Sequence, residues 1–230
     1  EALKTGGDFA EIFLEDRLNN GLSMLSGKVE TVLSRRLHGA GVRVFNGVQG
    51  VYVYTNDTTE AGLIACARRA ASAVAAQSRC AAKPLLWQDT PSIHFIKEMP
   101  DQVQGRRKVE KMKAAQAVLK QYDEIAQASV SYSDSVQRVW IANSEGLFTS
   151  DTRVYTRFFV SAIASNGAEN QTGFTGPGAM QGFEAFDHRI DPEAAARKAA
   201  NQAITMLHAP QCPAGVMPVV IDNGFGGVIF

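Results

Sequence analysis

Between Asp8 and Tyr54 short β-branched and aromatic runs, with partial period-two alternation, are separated by residues that turn the chain. That pattern fits strands with one buried face and gives an antiparallel meander. Ala10, Ile12 and Leu14 fall on one face of the first strand, and strands are predicted over Val29 to Arg36, Ala40 to Phe45 and Val48 to Tyr54. Ser26-Gly27 and Asn46-Gly47 are hairpin signals, because their residues tolerate positive φ, and His38-Gly39 is a weaker one.

Helical spacing takes over after the meander. Asp57 and Glu60 read as a capping box ahead of a helix in which Leu63, Ile64, Ala67, Ala70, Ala71 and Val74 recur at helical spacing. Residues 78–100 contain three prolines and no period, so they read as a connection. A second amphipathic helix is predicted from Arg106 to Tyr122. It is followed by strands over Ile125 to Ser133, Val136 to Asn143 and Leu147 to Arg157, and from Val154 onward to Ser165 with a break between. Turns are expected at Ser144-Glu145-Gly146 and Asn166-Gly167, and a loop from Gly173 to Gly182. Asp191-Pro192-Glu193 opens an alanine-rich third helix. Met217 to Asp222 reads as a buried strand, and Asn223 to Gly227 as a tight turn into a further helix.

The expected fold class is therefore α+β, antiparallel β-meanders packed with helices. A meander-plus-helix unit spans 1–77, a connection 78–100, and a second helix-and-sheet unit 101–230. Glu1 to Gly7 reads as a helix end closed by glycine, and both ends of the sequence read as cut from a longer chain.

Charge narrows the function. The 230 residues carry no formal net charge, so no basic footprint points to a nucleic acid or an anionic membrane. No apolar run reaches the roughly 20 residues of a membrane span. Cys66, Cys80 and Cys212 lack paired spacing, which argues against a disulfide framework or structural zinc site and for a reducing, cytoplasmic setting.

Local motifs stop short of an active site. His38, His94, His188 and His208 are far apart in sequence, and none has a ligand-type partner four residues on. Gly39-Ala40-Gly41 enters a strand and so lacks the helix start that a dinucleotide cradle needs. Gly224-Phe225-Gly226-Gly227 lies where backbone N–H groups gather, but it has no P-loop lysine and reads as a close-packing turn. There is no GxSxG elbow, and Asp187 and Asp191 form a helix-start pattern.

Two groups of residues carry a resemblance. Gly7-Asp8-Phe9-Ala10-Glu11-Ile12-Phe13-Leu14-Glu15, Gly27-Lys28-Val29-Glu30, Gly39-Ala40-Gly41-Val42-Arg43-Val44 and Tyr54-Thr55-Asn56-Asp57 make the first; Pro218 to Phe230 makes the second. Together they resemble the N-terminal portion of TldD/PmbA proteins, a family once labelled modulators of DNA gyrase. The resemblance implies a cytoplasmic zinc metallopeptidase that cuts unfolded or flexible peptides, in peptide maturation and antitoxin removal. It also implies a homodimer, or a heterodimer with a family paralogue that lacks the metal motif. The rivals are such a non-catalytic PmbA-like scaffold, and a DNA-associated gyrase modulator, against which the zero net charge speaks.

In TldD-like members the second segment leads into a His-Glu-x-x-x-His motif, which no residue here matches, so no catalytic or metal-ligating residue is assigned and the chain alone is expected neither to hold zinc nor to cut peptides. Histidines five apart differ by about 140° around a regular helix, so they would need a widened turn or a helix end to share one ion. Gly224, Gly226 and Gly227 are then the expected site-adjacent backbone turn, with the last two letting the backbone pack tightly.

Overall fold

A computed structural model describes residues 1–74, 80–221 and 226–228. The chain opens with a turn, not a helix end, and enters strands β1 (Phe9–Leu25), β2 (Lys28–Asn46) and β3 (Gln49–Thr55). Ser26 and Gly27, with φ of 47° and 89°, close the first hairpin, and Gly47, with φ of 56°, closes the second. These are the left-handed conformations whose twist matches paired strands.

The reversal expected at His38-Gly39 is absent, and β2 runs straight through it. A Cβ on Gly39 would stand 2.8 Å from the Thr55 carbonyl oxygen. Glycine there answers a close approach of β3.

Helix α1 (Glu60–Ser72) is capped by Thr59, not Asp57: the Thr59 hydroxyl accepts from Gly62 N at 3.2 Å. Asp57 instead braces the cap, since its Oδ1 accepts from Thr59 N at 3.0 Å and Thr59 Oγ1 at 2.6 Å. Of the proline-bearing connection, residues 80–99 are irregular except for β4 (Leu86–Trp87). Next come α2 (Gly105–Leu119), β5 (Ile125–Asn143), β6 (Leu147–Ser165), β7 (Asn170–Thr175), β8 (Gly178–Ala179), the single turn α3 (Ala185–His188) and α4 (Pro192–His208). The breaks predicted within β5 and β6 do not occur, and β7 and β8 take up part of the predicted 173–182 loop. Asp191 caps α4 as expected, accepting from Glu193 N and Ala194 N.

The strands make one sheet in the order β3-β2-β1-β5-β6-β4, with β7 and β8 also paired to β6. Its centre is the antiparallel β1–β5 ladder, from Glu11 opposite Asn143 to Leu25 opposite Ser129. The α+β class is thus realised as a single sheet to which both halves of the sequence contribute.

Register decides which face is buried. Even-numbered residues oppose even-numbered ones across most of β2, β1, β5 and β6, and these supply the strand side of both cores. The smaller core packs Cys66, Ala70 and Val74 against Ala10, Val42 and Val44. The larger packs Met112, Ala115 and Leu119 of α2, and Ala196, Ala199 and Ala203 of α4, against Val130, Tyr132, Phe158 and Val160. No described helix packs its buried face on the odd-numbered face of these strands. Along the outer edge of β2, Lys28–His38 pair with no further strand among the described residues. A bulge opposite Ser23 and Met24, with Lys28, Arg35 and Arg36, blunts that edge.

Met217–Ile221, predicted as a buried strand, has no regular structure, and Val220 is fully exposed. An apolar run becomes a strand only beside a partner, and none of the described strands pairs with it. The remainder of that prediction, at Asp222, lies outside the described residues, as do Asn223, Gly224 and Phe225 of the predicted tight turn.

The alanine face of α4 comes so near β7 that a Cβ on Gly173 would lie 2.1 Å from Ala199 O and 2.5 Å from Ala203 N. Gly173→Ala must push helix and strand apart, and is expected to cost ~2 kcal/mol or more of unfolding free energy in urea titration. Gly105→Ala, where an added Cβ meets nothing within 4 Å, is the control and should be neutral or mildly stabilising.

Candidate functional site

The larger core is crossed at its margin by polar groups. Even-numbered positions of β5 face the helices, so after Val130 and Tyr132 the next inward side chain is Asp134, which has no solvent exposure. α2 brings Lys108 to it, with Nζ 2.6 Å from Asp134 Oδ2, and the lysine side chain is only 7% exposed. Tyr132 Oη donates to the same oxygen at 2.8 Å, and Lys108 also lies over the Tyr132 ring. Asp134 Oδ1 accepts from Asn20 Nδ2 at 2.8 Å, and Asn20 Oδ1 accepts from Ser34 Oγ at 2.8 Å. The chain of bonds therefore runs from α2 through β5 and β1 to β2.

A buried carboxylate is tolerable only when paired and fully bonded, and each of its oxygens here has a donor. Burial, reinforced by the neighbouring Asp134 charge, drives the Tyr132 phenol far above its ordinary pKa, so it stays a neutral donor. No sequence motif marks this cluster. The one available signal was an aspartate at an inward position of an otherwise apolar alternation.

A second anchor holds the connection against α3. Glu184 Oε2 accepts from Glu98 N at 2.9 Å and Oε1 from Gly182 N at 3.0 Å. Burial alone would raise its carboxyl pKa, but backbone N–H groups at Glu98, Glu184, Lys97 and Gly182 outweigh it and hold the group below the usual carboxylate range.

On the helix-free face a groove of about 510 Å³ is lined by Arg17, Asn19, Ser135, Tyr155 and Arg157 among others. Arg17 Nε donates to Asn19 Oδ1 and Ser135 Oγ, both at 3.0 Å, which fixes the guanidinium along the sheet. Such a surface offers hydrogen-bond donors to backbone carbonyls or carboxylates; it contains no nucleophile with an adjacent base.

The four histidines are dispersed in space as in sequence, with one exception. His94 and His188 line a common hollow with Glu184 and Asp187. His38 Nε2 lies 2.8 Å from Thr58 Oγ1, and His208 Nε2 lies 2.5 Å from Glu124 Oε2. Among the described residues no group of three or more His, Cys, Asp or Glu could hold a metal. The described residues therefore do not fit a zinc ion, and no catalytic step through a metal falls to them. Cys66 is buried, Cys80 and Cys212 are exposed, and all three are free. No described helix is long and apolar enough to cross a membrane.

Of the glycine turn, Gly226 and Gly227 begin a 3-10 turn, Gly226–Val228, and Gly224 lies outside the described residues. A Cβ on Gly226 would come 2.7 Å from Ile221 Cγ2, whereas one on Gly227 would meet nothing within 4 Å.

Three variants test the anchors. Asp134→Ala leaves Lys108 buried without its partner and should cost ~3–5 kcal/mol, and Asp134→Leu with Lys108→Met much less, by chemical denaturation. For Glu184 the folded-state pKa is depressed, so its contribution is present above the unfolded value near ~4.3 and lost as pH falls through the folded one. Glu184→Gln should be less stable by ~2 kcal/mol at neutral pH, with the gap closing in acid; a gap that widens in acid would contradict the assignment.

Sequence and fold comparisons agree with this architecture. Residues 10–74 match the family model described as PmbA/TldA metallopeptidase domain 1, and residues 98–207 the PmbA/TldA metallopeptidase central domain. The chain is 23% identical over 229 residues to a "Metalloprotease TldD homolog" of Haemophilus influenzae, covering 96% of this chain and 48% of that protein. It is 25% identical over 225 residues to a "Metalloprotease" of Methanothermobacter thermautotrophicus, again covering 96% and 48%. It thus spans about half the length of these curated relatives. Among solved structures, a Thermotoga maritima protein named as a candidate modulator of a DNA gyrase superposes with a TM-score of 0.71 at 16% identity, over 90% of this chain and 46% of that one. TldE from Thermococcus kodakarensis gives 0.62 at 12% identity, over 86% and 44%. With matched segments covering most of its length and the same fold, the chain belongs to the PmbA/TldD metallopeptidase family.

Proposed function

We propose that this chain is the N-terminal portion of a cytoplasmic, zinc-dependent TldD-type metallopeptidase that cleaves unfolded or flexible peptides. In this reading its task is to place the peptide and contact a second subunit, either another copy or a family paralogue, while residues outside this chain hold the metal. The observation that carries it is the match of both halves to metallopeptidase domains, in a chain about half as long as its metalloprotease relatives. The groove on the open sheet face supports the placing role, since the Arg17 guanidinium, held there by Ser135, offers donors to which a peptide carbonyl can bond in any sequence.

The test is the protein with its full coding sequence. It should contain a His-Glu-x-x-x-His motif, bind about one zinc per subunit, cleave a reduced and alkylated disulfide protein but not its folded form, and lose activity with chelator. The 230-residue chain alone should neither bind zinc stoichiometrically nor cleave. A coding sequence without that motif would sink the peptidase reading and leave the non-catalytic partner subunit. Duplex DNA binding that weakens steeply with salt would favour the gyrase-modulator reading instead.

A further inference from the structure

The Gly39-x-Gly41 pair, which fails as a phosphate cradle, opens a different site. Both glycines lie on the helix-free face of β2, between β1 and β3. Cross-strand register sets Glu15 opposite Gly39 and Phe13 opposite Gly41, with Tyr54 opposite Gly41 on the other side. Side chains are thus missing from the middle strand and present on both flanks. The result is a hollow of about 180 Å³ lined by Phe13 and Glu15 on one side and Tyr52 and Tyr54 on the other, its floor narrowed by the Tyr52 ring over Gly41 and the Thr55 carbonyl beside Gly39. Tyr52 lies over Gly41, where an added Cβ would fall 2.6 Å from its ring, and so closes one end of the hollow with an aromatic face. Tyr54 is 72% exposed, with an aromatic face open to solvent.

What such a slot takes is shown by the neighbouring row of the same sheet face. There Glu11 stands opposite Arg43, whose Nε donates to Glu11 Oε1 at 2.6 Å while its guanidinium carbon lies 5.1 Å from the centre of the Phe45 ring. A carboxylate and an aromatic ring hold a guanidinium between them. Two pairs along, Glu15 has the same place on β1, but its cross-strand partner is glycine. Gln137 Nε2 donates to Glu15 Oε1 at 2.9 Å, and no hydrogen bond from a described residue reaches the other carboxylate oxygen. The nearby cation, Arg17, has its Nε turned to Asn19 and Ser135.

We infer that the slot at Glu15, Gly39 and Tyr54 is a binding site for a guest arginine side chain, seated where Arg43 sits in the adjacent row. The volume admits one side chain, not a strand or a helix. The inference rests on the proposed function only in taking the guest to belong to a bound peptide; the slot itself is independent of cleavage and of any metal.

The test uses the 230-residue chain labelled with ¹⁵N and titrated with N-acetyl-arginine amide. The Gly39 and Gly41 amide signals should shift in a saturable, millimolar titration. N-acetyl-citrulline amide, which keeps the shape and loses the charge, should bind at least ~5-fold more weakly, as should arginine amide to Glu15→Gln or Tyr54→Ala. Both substitutions lie on the open face, so unchanged thermal melting would show that the loss is local. Equal affinity for citrulline or norleucine amide would overturn the proposal in favour of an unselective apolar slot. Unaltered binding in Glu15→Gln, or no shift at the two glycines, would overturn it outright. If the slot binds arginine but the full-length protein cuts no peptide, the peptidase reading fails and this one stands.

Discussion

The antiparallel ladder between β1 and β5 is the interaction on which the rest of this molecule depends. Fifteen cross-strand pairs, from Glu11–Asn143 to Leu25–Ser129, join two segments separated by more than a hundred residues. Without them β1 and β2 beyond the reach of β3, which pairs only with Ala40–Asn46, would be a two-stranded ribbon, and such a ribbon is marginal in water. With them the strands of both halves share one twist and one register. Because side chains alternate with period two, that register also commits every inward residue at once: a slip of one residue would turn Val130 and Tyr132 outward and bring Ser129 and Ser131 into the core. The apolar alternation of β5 is thus what fixes its place against β1.

Such long strands create a difficulty that the buried ion pair resolves. α1 covers one end of the inward face and α2 with α4 cover the other, so the two cores are separate clusters. Asp134 stands at the edge of the larger one, and through Lys108, Tyr132, Asn20 and Ser34 it ties a helix to three adjacent strands. A hydrophobic replacement could match its stability, but hydrogen bonds have direction, and these fix both the register of β1 on β5 and the position of α2. The same logic applies to Glu184, which holds the backbone of the connection against α3 by accepting from main-chain N–H groups whose positions do not depend on side-chain identity.

Much of this was legible in the residues. Strand type, the hairpins at Ser26-Gly27 and Asn46-Gly47, the α4 cap at Asp191 and the two amphipathic helices followed from local rules, because each is decided by residues within a few positions of one another. The failures share a cause. Gly39 was read as a reversal, whereas its need for glycine comes from Thr55 on another strand. Met217–Ile221 was read as a strand, although nothing local can provide the partner a strand requires. Asp57 outranked Thr59 as a cap because both are good cap residues and only the path of the chain separates them. The Lys108–Asp134 pair was invisible for the same reason, since its members lie 26 residues apart and meet only through the packing of α2 on β5.

Placing the helices on one side has a consequence for function. A sheet held from its inward side by two helical cores is already formed, so what its outer face binds is met at little cost in ordering. On that face the glycines of β2 and the arginines beside Ser135 provide relief and charge without borrowing from either core. Substitutions at Glu15, Arg17 or Tyr54 can therefore alter recognition while leaving the fold alone, and substitutions at Asp134 or Gly173 do the reverse. Recognition and stability are separable here because the period of two assigns them to opposite faces of the same strands.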